Sequence, residues 1–102
     1  MDNLLTAKAS LLHVLAAPGH GRDLMRRIER ESRGRMRPKL GSVYPALRQL
    51  EGDGLVRSWL EPPRGKAGRP RRYYELTLRG VGAATAQRAA LRAFINGTAA
   101  PS

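Results

Sequence analysis

The sequence predicts a mainly α-helical fold carrying one small β-hairpin. Apolar residues recur at three- and four-residue spacing in four segments, which is the helical period. After residue 54 the period drops to two. The two alternating segments flank a stretch dense in Pro, Gly and positive charge, as a hairpin loop would be.

The first helix is expected over Leu4–Ala17, where Leu4, Leu5, Leu11, Leu12 and Leu15 cluster and Ala7, Ala9 and Ala16 add propensity. Pro18-Gly19-His20-Gly21 stops it. A second helix follows from about Arg22 to Ser32, with Leu24, Met25 and Ile28 as its apolar stripe. Arg33-Gly34-Arg35-Met36-Arg37-Pro38 is a basic loop whose glycine suits a helix C-cap. A third helix is expected over Leu40–Asp53, where Leu40, Val43, Leu47 and Leu50 form one buried face and Tyr44, Arg48 and Gln49 project elsewhere. Pro45 has no N–H to donate, so it must fall within the first turn or two or kink the helix. Gly54 ends it.

Leu55–Leu60 then reads as a strand and Arg71–Leu76 as its partner, with 61–70 as a long basic loop between them. Thr77 is placed to cap a last helix over Leu78–Ile95, whose start Gly80 and Gly82 weaken. Helix, helix, helix, strand, basic loop, strand, helix is the order of a winged helix-turn-helix, in which the third helix enters the major groove and the hairpin is the wing.

The charge agrees with that order. The chain has 102 residues, with 19 Lys plus Arg against 8 Asp plus Glu, a net charge of +11. Sixteen of the cations are arginine, whose fork pairs bidentately with phosphate and with guanine edges. A genome rich in G and C would also favour arginine, so position has to decide. With 41% hydrophobic residues the chain can build a core, and one domain is expected. Cysteine is absent, which excludes disulfides and thiolate metal sites and fits a reducing cytoplasm. No apolar run approaches a membrane span, and no signal-peptide pattern opens the sequence.

Catalysis finds no support. His13 and His20 lack metal-ligand spacing, and Glu29/Glu31 and Glu51/Asp53 stand two apart on helices and so share no face. Gly19-His20-Gly21 is too short for a phosphate-cradling loop. No catalytic residue, metal or cofactor is expected.

Two basic clusters remain. Residues 22–39 hold Arg22, Arg26, Arg27, Arg30, Arg33, Arg35, Arg37 and Lys39 against three acids. Helical pairing of Asp23 with Arg26 and Arg27, and of Glu29 with Arg33, would account for part of this as an ordinary solvated face. Arg33, Arg35, Arg37 and Lys39 flank the start of the third helix, where phosphates would lie. The second cluster, Arg64, Lys66, Arg69, Arg71 and Arg72, occupies the hairpin and suits a narrow minor groove.

Gly41-Ser42-Val43-Tyr44-Pro45-Ala46-Leu47-Arg48-Gln49-Leu50-Glu51-Gly52-Asp53-Gly54-Leu55-Val56 resembles the recognition-helix signature of the PadR family of transcriptional regulators. Gly68-Arg69-Pro70-Arg71-Arg72-Tyr73-Tyr74-Glu75-Leu76-Thr77 resembles that family's wing and second strand, and Pro18, His20, Gly21, Asp23 and Leu24 its helix opening. The resemblance spans about residues 9–82. It implies a cytoplasmic, nucleoid-associated repressor that binds a pseudo-palindromic operator in double-stranded DNA as a homodimer. Ser42, Tyr44 and Arg48 would face DNA from the helix, and Arg64, Lys66, Arg69 and Arg71 from the wing. Tyr44 would either donate its hydroxyl to a phosphate or simply pack.

By the same resemblance, residues 1–76 would be the DNA-binding domain, 77–96 the dimerisation helix and 97–102 a tail. Leu4, Leu5 and Leu11 of the first helix and Ala83, Ala86, Ala90, Leu91 and Phe94 of the last would meet the partner subunit. Some relatives hold small aromatic effectors between subunits. Here Trp59 and Phe94 are the comparable surfaces, and core or dimer packing would equally explain them. The chain departs from the family pattern at Arg22, where an aromatic is common, and at Lys39, where a Ser or Thr cap is usual. Its single short last helix also differs from members with a larger C-terminal domain. Charge alone would also fit an RNA- or ribosome-associated protein, and the fold alone a protein–protein interaction module.

Overall fold

A computed structural model of the chain describes residues 3–62 and 68–97, with side chains from residue 7 onward. Its elements are α1 (Asn3–Val14), β1 (Gly19–His20), α2 (Gly21–Glu31), α3 (Leu40–Gly52), β2 (Val56–Glu61), β3 (Arg71–Leu76) and α4 (Leu78–Ile95). This is a winged helix-turn-helix with one strand more than the sequence predicts.

The extra strand is β1. It pairs antiparallel with β3, Gly19 opposite Tyr74 and His20 opposite Tyr73. Strand β2 pairs with the other edge of β3, so the sheet order is β1-β3-β2 and the second wing strand lies in the centre. Gly19-His20 reads in sequence as a helix stop and nothing more; two residues carry no alternation. Across β2 and β3, Arg57 sits opposite Glu75 and pairs with it.

Helix α1 ends three residues earlier than its leucine pattern suggests. The reason is Arg27, whose guanidinium donates to the carbonyls of Val14 (3.3 Å), Ala17 (2.6 Å) and Pro18 (2.7 Å). The first is an acceptor the helix C-terminus leaves open, and the other two belong to the turn that follows it. At the end of α2, Arg33 and Gly34 take left-handed backbone conformations, φ +55° and +78°. The Gly34 N–H returns to the Glu29 carbonyl at 2.8 Å, and the Ser32 hydroxyl accepts from the Met36 N–H at 2.9 Å. Pro45 lies in the second turn of α3, as its missing donor requires.

The core draws on every helix and both long strands. Leu11 and Leu15 (from α1 and its exit), Leu24, Ile28, Val43, Ala46, Leu47, Leu50, Val56, Tyr74 and Ala84 are all buried. Leu11 has no exposed surface at all, so it serves its own protomer's core; the expectation that it meets a partner is corrected. The outlook is opposite on α4. Of its 18 residues only Gly80 and Ala84 are buried, while Val81, Leu91, Phe94 and Ile95 are exposed. The helix is anchored at its start, where Thr77 accepts from the Gly80 N–H (3.0 Å) and donates to the Gly54 carbonyl (2.6 Å). A Cβ on Gly80 would overlap the Leu55 carbonyl oxygen, so this glycine permits a close approach rather than merely weakening a helix. Further along, Gln87 Nε2 donates to the Ala9 carbonyl at 2.8 Å and holds α4 to α1.

Candidate nucleic-acid interface

Helix α3 buries Val43, Ala46, Leu47 and Leu50 and turns Tyr44 and Arg48, four residues apart, outward on one stripe. Ser42 is half-buried in the first turn. Lys39 stands at the N-cap with extended backbone (φ −94°, ψ 154°), and no side chain caps the helix. The helix therefore starts on an exposed, positively charged residue with no side-chain acceptor on its first-turn N–H groups, an electropositive end.

Arg35 and Arg37 are exposed on the loop leading into α3, and Arg37 reaches back to Glu29 at 3.3 Å. The helical ion pairs expected from sequence take other partners. Asp23 binds His20 (3.1 Å), Glu29 binds Arg37, and Arg27 is taken up by carbonyls at the exit of α1 and in the turn after it. On the wing side Arg69 and Arg71 are exposed at the entry to β3. Arg64 and Lys66 lie outside the described residues.

The helix and the wing are tied together at two places. At the C-terminal end of α3, Glu51 accepts from the Ser58 hydroxyl (2.8 Å), which accepts in turn from Arg72 (3.0 Å). At its N-terminal half, Tyr44 lies against Gly21, whose neighbour His20 has its Nε2 3.1 Å from Arg71. Sequence reasoning gave His20, Ser58 and Glu51 no part in joining helix to wing, since contacts between separate elements leave no local pattern. His20 also caps α2, its Nδ1 accepting from the Asp23 N–H at 3.3 Å. Burial holds its imidazole below the usual pKa, the Asp23 carboxylate opposes that, and the guanidiniums of Arg71, Arg26 and Arg27 reinforce it. Tyr73 meets the ring edge-on at 5.5 Å and stacks its other side on Trp59 at 6.1 Å. Trp59 is thus a half-buried part of the wing sheet, its Nε1 donating to Glu61 at 2.7 Å. Among the described residues no group of His, Asp or Glu could hold a metal, and no helix is long and apolar enough to cross a membrane.

Residues 11–86 match the Transcriptional regulator PadR-like family. The chain belongs to the PadR-like family. That family consists of transcriptional regulators, not enzymes. Solved structures agree in fold. A PadR family regulator from Eggerthella lenta is 23% identical with a TM-score of 0.72, over 93% of this chain and 80% of that one. One from Clostridium difficile is 23% identical with a TM-score of 0.73, over 89% and 91%. Bacillus subtilis PadR in complex with operator DNA is 21% identical with a TM-score of 0.69, over 79% of this chain and 45% of that one. No curated protein matches the chain. The PadR-like motifs in the sequence, from Gly41 to Val56 and from Gly68 to Thr77, fall on α3 and on β3 with its approach.

Proposed function

We propose that the protein is a homodimeric repressor that binds a pseudo-palindromic operator in double-stranded DNA. The observation that carries this reading is the outward stripe of Tyr44 and Arg48 on a helix whose opposite face is wholly committed to the core. Arg35, Arg37 and Lys39 flank one end of that helix and the wing adjoins it. Helix α3 enters a major groove, with Arg48 on base edges and Ser42 and Tyr44 on the backbone. Arg35, Arg37 and Lys39 hold flanking phosphates, and Arg64, Lys66, Arg69 and Arg71 serve the neighbouring minor groove. The operator complex of the Bacillus subtilis relative supports this assignment. The protein acts in the cytoplasm, at the nucleoid.

The second subunit sits on α4. Phe94 and Ile95 are largely exposed there, Leu91 is about half exposed, and Ala86 and Ala90 are exposed on the same helix. Ala83 is half-buried against the core and contributes at the margin. Leu4 and Leu5 lie on the first turn of α1, and their side chains fall outside the described ones. A small aromatic effector has a suitable place within the protomer. A largely apolar groove of about 350 Å3 runs between α1, α2 and α4, walled by Val14, Ile28, Met36 and Leu91.

Selection of bound fragments from the source genome, followed by anisotropy titration of the recovered duplex, tests the assignment. A preference for the recovered duplex over random sequence supports it, with half-sites spaced by about one helical turn or a multiple of it. Equal affinity for all duplexes overturns sequence-specific binding, and preference for single strands would favour an RNA-associated protein instead.

A further inference from the structure

The junction at the start of α2 places one imidazole between the recognition helix and the wing. His20 Nδ1 faces the Asp23 N–H at 3.3 Å, and Nε2 lies 3.1 Å from the Asp23 carboxylate and 3.1 Å from Arg71 Nη1. A neutral imidazole has one lone pair and one N–H. With the lone pair on Nδ1 accepting the cap bond, Nε2–H donates to Asp23, and the Arg71 guanidinium is left against a nitrogen that cannot accept from it. His20 is held in place by its burial and by the Tyr73 ring against it, and its backbone is paired with Tyr73. Arg71 is the exposed, long and movable member.

We propose that His20 is a positioning residue that couples DNA binding to proton uptake: Arg71 turns from the imidazole to a phosphate, and His20 then takes a proton from solvent at Nδ1 while its Nε2–H stays on the Asp23 carboxylate, turning that hydrogen bond into an ion pair. The proposal rests on the DNA-binding reading above and assigns that reading a regulator. The groups facing His20 are Asp23, Arg26 and Arg27 on α2, and Arg71 and the Tyr73 phenol ring on β3. In the free protein burial and three guanidiniums keep the ring neutral, with Asp23 alone opposing them. A phosphate takes one guanidinium away and brings negative charge near, so the balance turns toward the imidazolium. The imidazolium has no lone pair for the cap, and the 3.3 Å bond, the longest of the three contacts, is given up. Because the same ring caps α2 beside Tyr44, the wing contact and the seating of α3 respond to one proton.

The test is anisotropy titration of the full chain against a labelled random-sequence duplex of about twenty base pairs, at constant ionic strength from about pH 8 to about pH 5.5. Wild-type affinity is expected to rise on acidification, by at most about tenfold per pH unit for one proton. His20→Asn keeps a capping side chain but cannot be protonated, and is expected to bind with a flat profile. His13→Gln, which removes the other histidine, should retain the slope. Proton NMR of the His20 ring should show its pKa rising when the duplex is added. An undiminished slope in His20→Asn, or a ring pKa that does not move in the saturated complex, overturns the proposal. Tight wild-type binding with a flat profile overturns it and leaves the DNA-binding reading intact. Absence of duplex binding at every pH overturns both.

Discussion

The phenol ring of Tyr44 occupies the space that any side chain at Gly21 would need: a Cβ there would lie 2.6 Å from the ring and its hydroxyl. The outward stripe of α3 is therefore seated on a bare patch of α2 backbone. Gly21→Ala must rotate the ring away, at a cost of about 1–3 kcal/mol in stability. Thermal unfolding together with duplex affinity should both decline. Tyr44→Phe keeps the ring in place and should leave the melting temperature nearly unchanged. It should weaken duplex binding by about 1 kcal/mol if the hydroxyl donates to a phosphate.

The two glycines at the start of α4 should behave oppositely. Gly80→Ala puts a methyl group into the Leu55 carbonyl and should cost about 2 kcal/mol or more. Gly82 has nothing within 4 Å, so Gly82→Ala should stabilise the helix by about 0.5–1 kcal/mol. Denaturant melts of the two variants give the comparison directly, and equal signs would refute the close-approach reading of Gly80.

Arg48 and Arg35 have different jobs in the proposed complex. Arg48→Ala should reduce discrimination between operator and random duplex by about 1–3 kcal/mol. Arg35→Ala should weaken both alike and lower the slope of log affinity against log salt by about one. Competition titrations at several salt concentrations separate the two.

Phe94 and Ile95 retain 78% and 77% of their surface in the single chain. If the proposed dimer forms through α4, Phe94→Glu should sediment as a monomer where the wild type sediments as a dimer, while leaving the helical circular dichroism signal close to that of the wild type. It should also weaken binding to a two-half-site operator far more than to one half-site.

Acid should destabilise the domain through His20. Its folded-state pKa is lowered from 6.5 by burial, so below 6.5 the unfolded chain takes a proton that the folded chain resists. Stability is therefore complete above that value, falls as pH drops through it, and levels off below the folded-state pKa. The fall should be smaller in His20→Asn when chemical melts are repeated across the range.

How much of this was legible in the sequence depended on the range of the interactions. The spacing of Leu40, Val43, Leu47 and Leu50 is local, and α3 lies where it predicts, within one residue. The alternation in Arg71–Leu76 and the Thr77 cap are local too, and both hold. Contacts between distant residues were illegible. Leu11 looked like one more leucine on a stripe that a partner could share, and it is wholly buried. Arg27 counted toward a basic patch, yet three carbonyls, one at the end of α1 and two in the turn beyond it, claim it. For the same reason the basic residues formed a cluster on paper, while the contacts that tie helix to wing run through His20, Ser58 and Glu51.

The two-residue strand β1 has a consequence for how such a protein can change its target. It clasps β3 from the side opposite β2, so the grip of the hairpin is fixed by main-chain pairing on both edges. Residues between the two wing strands can then be lengthened, shortened or recharged without shifting the register of Arg71 or Tyr73. The hairpin is a fixed handle with an exchangeable blade, so in the proposed complex the wing's share of the contact can be edited while α3 keeps its own.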